Sequence, residues 1–422
     1  MTVSDRLLTL FNHLGLERAH IAGYTIADWH DFVCNHPNRL ATLTLLNTFP
    51  GPAYIPDTPT LTILGDAADA PAGLESVEHV VLPGYTRELW DDVAADRSDE
   101  VIDAMTAFLT QNGIPSVSES AFDTPTGEVE NLAYSINGSG PPLVLLPLAL
   151  TPSQWEPIID QLSEQFCTIT IRGALLGFAR IIEVRGQSRG YLSAVRSVFS
   201  LARPTSSDDI LEVGCATGVL ARWMARETGA SITAFDLSPY LLGEAQKLAE
   251  QEGLDIVFEQ GNAEQLPYED NRFDITCSYT VLEELNADRA LAEIVRVTKP
   301  GGRIVVLIRA LDTPVIVNLP LPPKIKAKVE APPVWWGGVG AAGCADVSLY
   351  DRFHAHGLQD ITMMPLYATY TEKERLAYTF PQFEDLLDAD EIPTWRQAVA
   401  KSENNPSTFV SQPLHAAVGI KP

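Results

Sequence analysis

Four residues in the later half of the chain have the types and spacing to hold a polar ligand: Glu212, Gly214, Gly218 and Asp236. The string DDILEVGCATGVLARWMA is an apolar run that reaches Glu212, turns at two glycines and continues into an amphipathic stretch. SITAFDLS follows as the next apolar run and reaches Asp236. A glycine turn lets the backbone approach a ligand at the carboxyl edge of a parallel sheet. An acid at the tip of the next strand can accept hydrogen bonds from both hydroxyls of a ribose.

Placing these residues requires a strand and helix alternation, and the stretch from Asp208 to Ala310 supplies one. VFEQGNAEQLPYEDNRFDITCSYTVLEEL and IVRVTKPGGRIVVLIRA continue it with further strands. Three details separate this pattern from a nicotinamide site. The turn is GxxxG rather than GxGxxG, so the middle glycine of a close pyrophosphate approach is missing. Glu212 offers a carboxylate suited to the ammonium of a methionine moiety. GNAEQLPYED stands where an adenine ring would be gripped. In order and spacing this block resembles the class I S-adenosylmethionine-dependent methyltransferases, especially the small-molecule group related to the quinone-biosynthesis enzymes.

The resemblance implies a Rossmann-like seven-stranded α/β sheet and assigns roles residue by residue. Glu212, Gly214, Cys215, Ala216 and Gly218 correspond to the first cofactor-binding motif, Asp236 to the ribose acid, and Leu237 to an adenine-packing position. Asn262 and Ala263 correspond to the pair at the adenine edge, with Asn where the family more often has Asp. Ala216 replaces a commoner Gly and is expected to be tolerated if its backbone is not left-handed. Tyr279 and Thr280 fall where the family faces the methyl group and the acceptor. Glu283 and Glu284 follow, as candidate general bases. Pro300, Gly301 and Gly302 form a structural turn.

Composition narrows the function. Asp and Glu total 55 against 29 Lys and Arg, a formal net charge of −26 in 422 residues. Such a field repels phosphate backbones, and no basic, aromatic-studded stretch offers a nucleic-acid platform. The five cysteines are scattered without CxxC pairing, which favours reduced, buried thiols over a disulfide frame or a metal site. No apolar run approaches the ~20 residues needed to span a bilayer. MTVSDRLLTLFNHLGLE reads as an amphipathic helix rather than a signal peptide, so the cytoplasm is the expected compartment.

The amino-terminal part, up to position 177, reads differently. LGLERAHIAGYTIADWHDFVCNHPNRLATLTLLNTFPG has the rhythm of strand, sharp turn, helix, strand, and resembles the nucleophile-elbow segment of an α/β-hydrolase. Thr25 stands in the nucleophile's place, Asp66 or Asp69 in that of the triad acid, and Tyr85 where a histidine is expected. His79 is expected to precede the last strand and lie at the wrong end. LAYSINGSGPPLVLLPLALTPSQWEPIIDQLSEQFCTITIRGALLG resembles the early strands of that fold, with Pro147 and Leu148 beside the oxyanion position. Two arrangements explain the order: a circular permutation in which residues 128–177 and 18–112 complete one sheet, or the tail of one copy followed by the head of another. The permutation is physically the more economical, since two half-sheets would each expose an edge. A triad needs a base that this segment lacks, so the expectation is a degenerate α/β-hydrolase-like domain kept as scaffold, homodimer surface or pocket wall.

Between the halves, FARIIEVRGQSRGYLSAVRSVFSLARPTSSDD is expected to begin extended and turn helical near Tyr191. The resemblance puts a helix here over the cofactor, with Arg189 and Tyr191 near the ligand. An insert at residues 311–345 contains Trp335 and Trp336, candidates to clamp a flat acceptor, and a helical excursion at residues 371–412 is a second substrate wall. His354 and His356 lie two apart on a helix and face different ways, so they make no metal pair; His415 reads as structural. The expected division is thus residues 1–177 and a methyltransferase at 178–422. The expected reaction is methyl transfer from S-adenosylmethionine to a small, uncharged or apolar acceptor at O, N or C, with a phenol, carboxylate, amine or activated carbon of secondary metabolism as candidates, releasing S-adenosylhomocysteine. The alternatives are an adenosylmethionine-binding enzyme with a non-methylating reaction, and an esterase in the amino-terminal half.

Overall fold

The computed structural model describes residues 3–24, 30–47, 58–65, 77–85, 92–122, 124–130, 132–172, 176–332, 339–402 and 404–422. Thr25, Asp66, Asp69, Trp335 and Trp336 lie outside the described residues. The chain divides into two compact units, Met1–Arg180 and Ile181–Pro422.

In the first unit the strands are β1 (Ala19–Gly23), β2 (Leu40–Leu46), β3 (Thr60–Gly65), β4 (Glu78–Leu82), β5 (Val117–Ser118), β6 (Thr126–Val129), β7 (Leu132–Asn137), β8 (Ser139–Gly140), β9 (Pro142–Leu145) and β10 (Cys167–Arg172). Eight of them form one sheet in the order β4-β3-β2-β1-β9-β10-β7-β6, while β5 and β8 pair separately. β1 lies parallel between β2 and β9, so both segments contribute to the same sheet and neither leaves a bare central edge. β2 and β3 are buried at every position, as strands covered on both faces must be. One face packs Phe11 of α1 (Val3–His13) and Phe32 of α2 (His30–Asn35) against Ile21 and Ile169. Helices α3 (Val93–Asp96), α4 (Ser98–Gln111) and α5 (Glu156–Ser163) cover the other, where Met105 and Ile158 join Leu145 and Trp155.

His79 sits inside β4 rather than before it, and its Nδ1 lies 2.6 Å from the Thr62 hydroxyl of β3. Its line of register partners runs through Thr62 and Leu45 to Gly23, three strand spacings or about 14 Å away. That distance removes it from any reaction at the turn after β1.

α6 (Phe178–Gln187) begins the second unit's helices; it is helical, in contrast to the extended segment that the sequence suggests. Its β-branched Ile181 and Ile182 look strand-like in isolation, but buried Ala179, Ile182 and Glu183 recur at helical spacing. Ser188 ends the helix, its hydroxyl donating to the Arg185 carbonyl at 2.6 Å, and α7 (Arg189–Phe199) starts immediately.

The rest of the second unit alternates: β11 (Asp209–Val213), α8 (Val219–Thr228), β12 (Ser231–Asp236), α9 (Pro239–Gln251), β13 (Val257–Gln260), β14 (Phe273–Tyr279), α10 (Ala287–Val297), β15 (Thr298–Arg309), β16 (Ile316–Val317), α11 (Pro323–Val329), α12 (Ser348–Ala355), β17 (Gln359–Tyr370), α13 (Lys373–Gln382), α14 (Ile392–Ser402) and β18 (Val410–Ile420). The sheet order is β13-β12-β11-β14-β15-β18-β16, with β17 also on β18. β11 to β15 are parallel, and β18 runs antiparallel between β15 and β17, a Rossmann-like α/β sheet with a reversed final strand. Leu291 and Ile294 of α10 and Phe353 of α12 pack on Val213, Ile304 and Val306. Trp395 of α14 is held between Phe380 and Phe383, which folds residues 371–412 onto themselves as a helical excursion.

Candidate active site

Strand order in the second sheet reverses between β11 and β14, and the crevice outside their carboxyl ends is where such sheets receive ligands. Gly214 leaves β11 at φ +80, and a Cβ there would fall 2.2 Å from the Val281 side chain. Gly218 caps α8 at φ +68, where a Cβ would meet the Phe258 ring at 2.8 Å. Both glycines are therefore required by backbone angle and by space.

Ala216 lies between them at φ +49, the left-handed region. The condition for its tolerance is not met, and an alanine here costs roughly 1–2 kcal/mol. What holds it is Asp236: Oδ2 accepts the Ala216 N–H at 2.7 Å while Oδ1 accepts that of Ser238 at 2.9 Å. An ionised carboxylate offers about four acceptor positions, so acceptor capacity remains for a ligand's hydroxyls. Burial pushes the Asp236 carboxyl above the usual range despite these bonds.

Glu212 is buried in the central strand, and its Oε2 has no hydrogen-bond partner. Burial first, and then the Asp236 charge, push its carboxyl well up. Two neighbouring acids with an orphaned oxygen fit a ligand that brings both hydroxyl donors and a positive charge. Cys215 is buried beside them, its thiol pushed up by burial and then by Asp236 and Glu212.

At the flank of this turn Leu237 is an exposed apolar residue, Ala263 is half-buried and Asn262 is exposed. The Asn262 carbonyl oxygen accepts the Glu264 N–H at 2.8 Å, so its amide NH2 is the group left to meet a ligand.

Tyr279 ends β14, 3 % exposed; its hydroxyl is buried, with Cys277, Glu212 and Tyr191 among the groups that act on it. Thr280 follows at φ +59, an uncommon angle for a β-branched residue and a sign of strain held at a site. Its hydroxyl donates to the Tyr279 carbonyl at 2.6 Å and accepts from Arg185 Nη2 at 3.2 Å. Glu283 and Glu284, expected as bases, are engaged by Arg309: Glu283 Oε1 accepts its backbone N–H at 2.7 Å and its Nε at 3.1 Å, and Glu284 Oε1 accepts its Nη2 at 3.0 Å. Tyr191 is buried on α7 with an unpartnered hydroxyl, whereas the Arg189 side chain is exposed. His415 is structural in form, bonded to Asp312 at 2.8 Å and Tyr350 at 3.0 Å.

Sequence reading missed the clamp that fixes the glycine turn. Glu183 of α6 accepts the Thr217 hydroxyl at 2.5 Å and Arg222 Nη2 at 2.7 Å, with both charged side chains almost fully buried. Arg222 also donates to the Thr217 carbonyl at 2.7 Å and to Glu252 at 2.9 Å. The one available signal was a pair of charges set among apolar residues of two helices.

Among the described residues no group of three or more His, Cys, Asp or Glu could hold a metal, and no helix is long and apolar enough to cross a membrane.

Residues 211–306 match the methyltransferase domain family. The chain is 33% identical over 131 residues to the uncharacterized methyltransferase YodH of Bacillus subtilis, covering 31% of this chain and 56% of that protein. It is 35% identical over 114 residues to a demethylmenaquinone methyltransferase of Thermus thermophilus, covering 26% and 52%. The matched region thus spans about half the length of these relatives. The crystal structure of YcgJ from Bacillus subtilis aligns with 55% of this chain and 98% of its own at 16% identity and a TM-score of 0.38. The segment carrying the glycine turn is a class I S-adenosylmethionine-dependent methyltransferase domain.

Proposed function

We propose that the second unit transfers a methyl group from S-adenosylmethionine to a small-molecule acceptor. The observation that carries this reading is the pair of buried acids, Glu212 and Asp236, flanking a turn that only glycine-like backbone angles can make. When bound, the cofactor supplies a methyl carbon made electrophilic by a sulfonium. Glu212 would receive the cofactor's ammonium, Asp236 its ribose hydroxyls, and Leu237, Asn262 and Ala263 its adenine. The acceptor's reacting atom would bond to the methyl carbon as that carbon's bond to sulfur breaks, the electron pair of that bond would leave with S-adenosylhomocysteine, and an acceptor that carries a proton on the reacting atom would release it. The enzyme's task is alignment in a dry crevice, and no general base is required for acceptors already ionised. Tyr279 and Thr280, at the end of β14, border the place where that alignment happens.

For the first unit we infer a degenerate, permuted α/β-hydrolase-like scaffold. Supporting this, β1 is flanked by β2 and β9, and the Tyr24 N–H at the turn after β1 is bonded to the Pro147 carbonyl after β9 at 3.4 Å. The loop expected to border an oxyanion position therefore lies against the turn expected to carry the nucleophile. A chromogenic ester should be turned over no faster by the protein than by Thr25→Ala.

Calorimetry with S-adenosylhomocysteine tests the main reading. The full chain should bind it with one site, and Asp236→Ala should weaken binding by about tenfold or more, the loss of two hydrogen bonds to a charged acceptor. No heat of binding, or unaltered binding by the variant, refutes the assignment.

A further inference from the structure

Two arginines of the second unit combine a buried, unpartnered Nε with the lack of a carboxylate partner among the described residues, in a chain with a formal net charge of −26. Arg222, Arg296, Arg309, Arg352 and Arg396 each pair with a carboxylate. Arg185 and Arg375 form no ion pair among the described residues, although Arg375 is only 5 % exposed. The Nε of each is buried without a hydrogen-bond partner.

What surrounds them is aromatic. The Arg375 guanidinium lies over the Tyr370 ring, 4.8 Å from its centroid, and 5.4 Å from that of Tyr378. Arg185 lies 5.2 Å from the centroid of Tyr191. Their fixed bonds are few and neutral: Arg375 Nη2 donates to the Gln412 side chain at 3.4 Å, and Arg185 Nη2 to the Thr280 hydroxyl at 3.2 Å. Aromatic faces attract a guanidinium but do not replace a counter-charge once it is withdrawn from water. Burial disfavours the charge on Arg375 most strongly; Tyr370 works against this, and Arg185 adds to it.

Their place in the fold is the same edge that receives the cofactor. Thr280 follows β14, Tyr370 ends β17 where it pairs with Val410, and Gly190 of α7 packs directly on Thr369. All of these elements open at the carboxyl end of the sheet.

We propose that Arg185 and Arg375 are the clamp for an oxyanion, a carboxylate or phosphate, carried by the methyl acceptor, with Tyr191 and Tyr370 as the walls of its seat. The planar fork of a guanidinium can donate to both oxygens of such a group, and the fixed neutral partners leave that capacity available. The substrate class is therefore an organic acid or phosphate ester, in contrast to the uncharged or apolar acceptor that the sequence suggested. This proposal rests on the methyl-transfer reading for what the anion is attached to.

The test uses the full chain labelled for arginine Nε–Hε resonances, titrated separately with acetate, inorganic phosphate and neutral ethanol, with and without S-adenosylhomocysteine. Acetate or phosphate should shift the Arg185 and Arg375 signals saturably, and ethanol should not. Arg185→Gln and Arg375→Gln should each weaken anion binding about tenfold or more, and Arg375→Lys should restore part of it. Arg185 is half-buried, so its variant carries the test if Arg375→Gln does not fold. S-adenosylhomocysteine affinity, read by calorimetry, should be unchanged in Arg375→Gln. The proposal is overturned if neither anion binds, if ethanol binds equally well, or if the folded glutamine variants keep wild-type anion affinity. It is equally overturned if Arg375→Gln loses S-adenosylhomocysteine affinity, since the clamp would then hold the donor's own carboxylate. Failure of S-adenosylhomocysteine to bind the wild type, with anions still binding, instead sinks the methyl-transfer reading.

Discussion

Arg222 offers a sharp test of how the glycine turn is held. Its side chain is 2 % exposed and that of Glu183 1 %, so their contact at 2.7 Å forms with almost no water. Replacing Arg222 by Met takes a charged donor from three acceptors: Glu183 Oε2, the Thr217 carbonyl and Glu252 Oε1. Glu183 is then left buried with only neutral partners, Thr217 and Gln187. Removing one member of a buried pair in this way costs about 3–5 kcal/mol. Glu183→Gln is a milder change. The amide oxygen can still accept from Arg222, and Arg222 keeps Glu252, a partner one-third exposed to solvent. A loss of about 1–2 kcal/mol is expected, the scale of a hydrogen bond to a charged group. Hydrogen exchange is the suitable assay because the chain has two units and a global melt would blend them. Opening free energies of amides in residues 210–224 should fall by about 3–5 kcal/mol in Arg222→Met and by less than half that in Glu183→Gln. Equal losses in the two variants, or a loss below about 1 kcal/mol for Arg222→Met, would refute the assignment of the clamp.

Other outcomes follow from single features. Ala216→Gly should raise the hydrogen-exchange opening energies of second-unit amides by about 1 kcal/mol, since glycine occupies φ +49 without penalty and its N–H still reaches Asp236; no gain would mean that the strain is relieved elsewhere. His20 is fully buried, and burial, with Arg18 adding to it, lowers its pKa from 6.5 to about 4. The unfolded chain therefore binds the proton first as pH falls. Stability contributed by neutral His20 is intact above about pH 6.5 and drains away toward pH 4, by up to ~3 kcal/mol. His20→Phe should flatten that acid limb in the pH dependence of hydrogen-exchange opening energies of first-unit amides in the full chain, and an unchanged limb would assign it to other groups.

The glycine turn and its acid were legible because they are local: a strand end, two glycines and the acid ending the next strand fall within one repeat of the fold. The strand alternation of the second unit was legible for the same reason. The Ala216 angle was not, because it is set by the hydrogen bond that its N–H donates to Asp236 on the next strand. α6 read as extended because Ile181, Ile182 and Val184 favour strands locally, while its helical face is defined by Glu183 reaching Arg222 of another helix. Arg185 and Arg375 were invisible as a pair. Arg185 and Arg375 belong to opposite ends of the second unit's sequence, and only the return of β17 and α13 to the carboxyl edge brings them to one seat.

The position of β1 bears on how the first unit is made. It is translated well before its neighbour β9, which aligns Leu143 with His20. At ordinary translation speeds that gap is about 6–25 s, during which an apolar strand waits with one side unzipped. Closure must then bridge a long separation, which slows folding and lengthens exposure to intermolecular pairing. Nascent chains halted before Leu143 should consequently be richer in chaperone contacts than chains halted after Arg172.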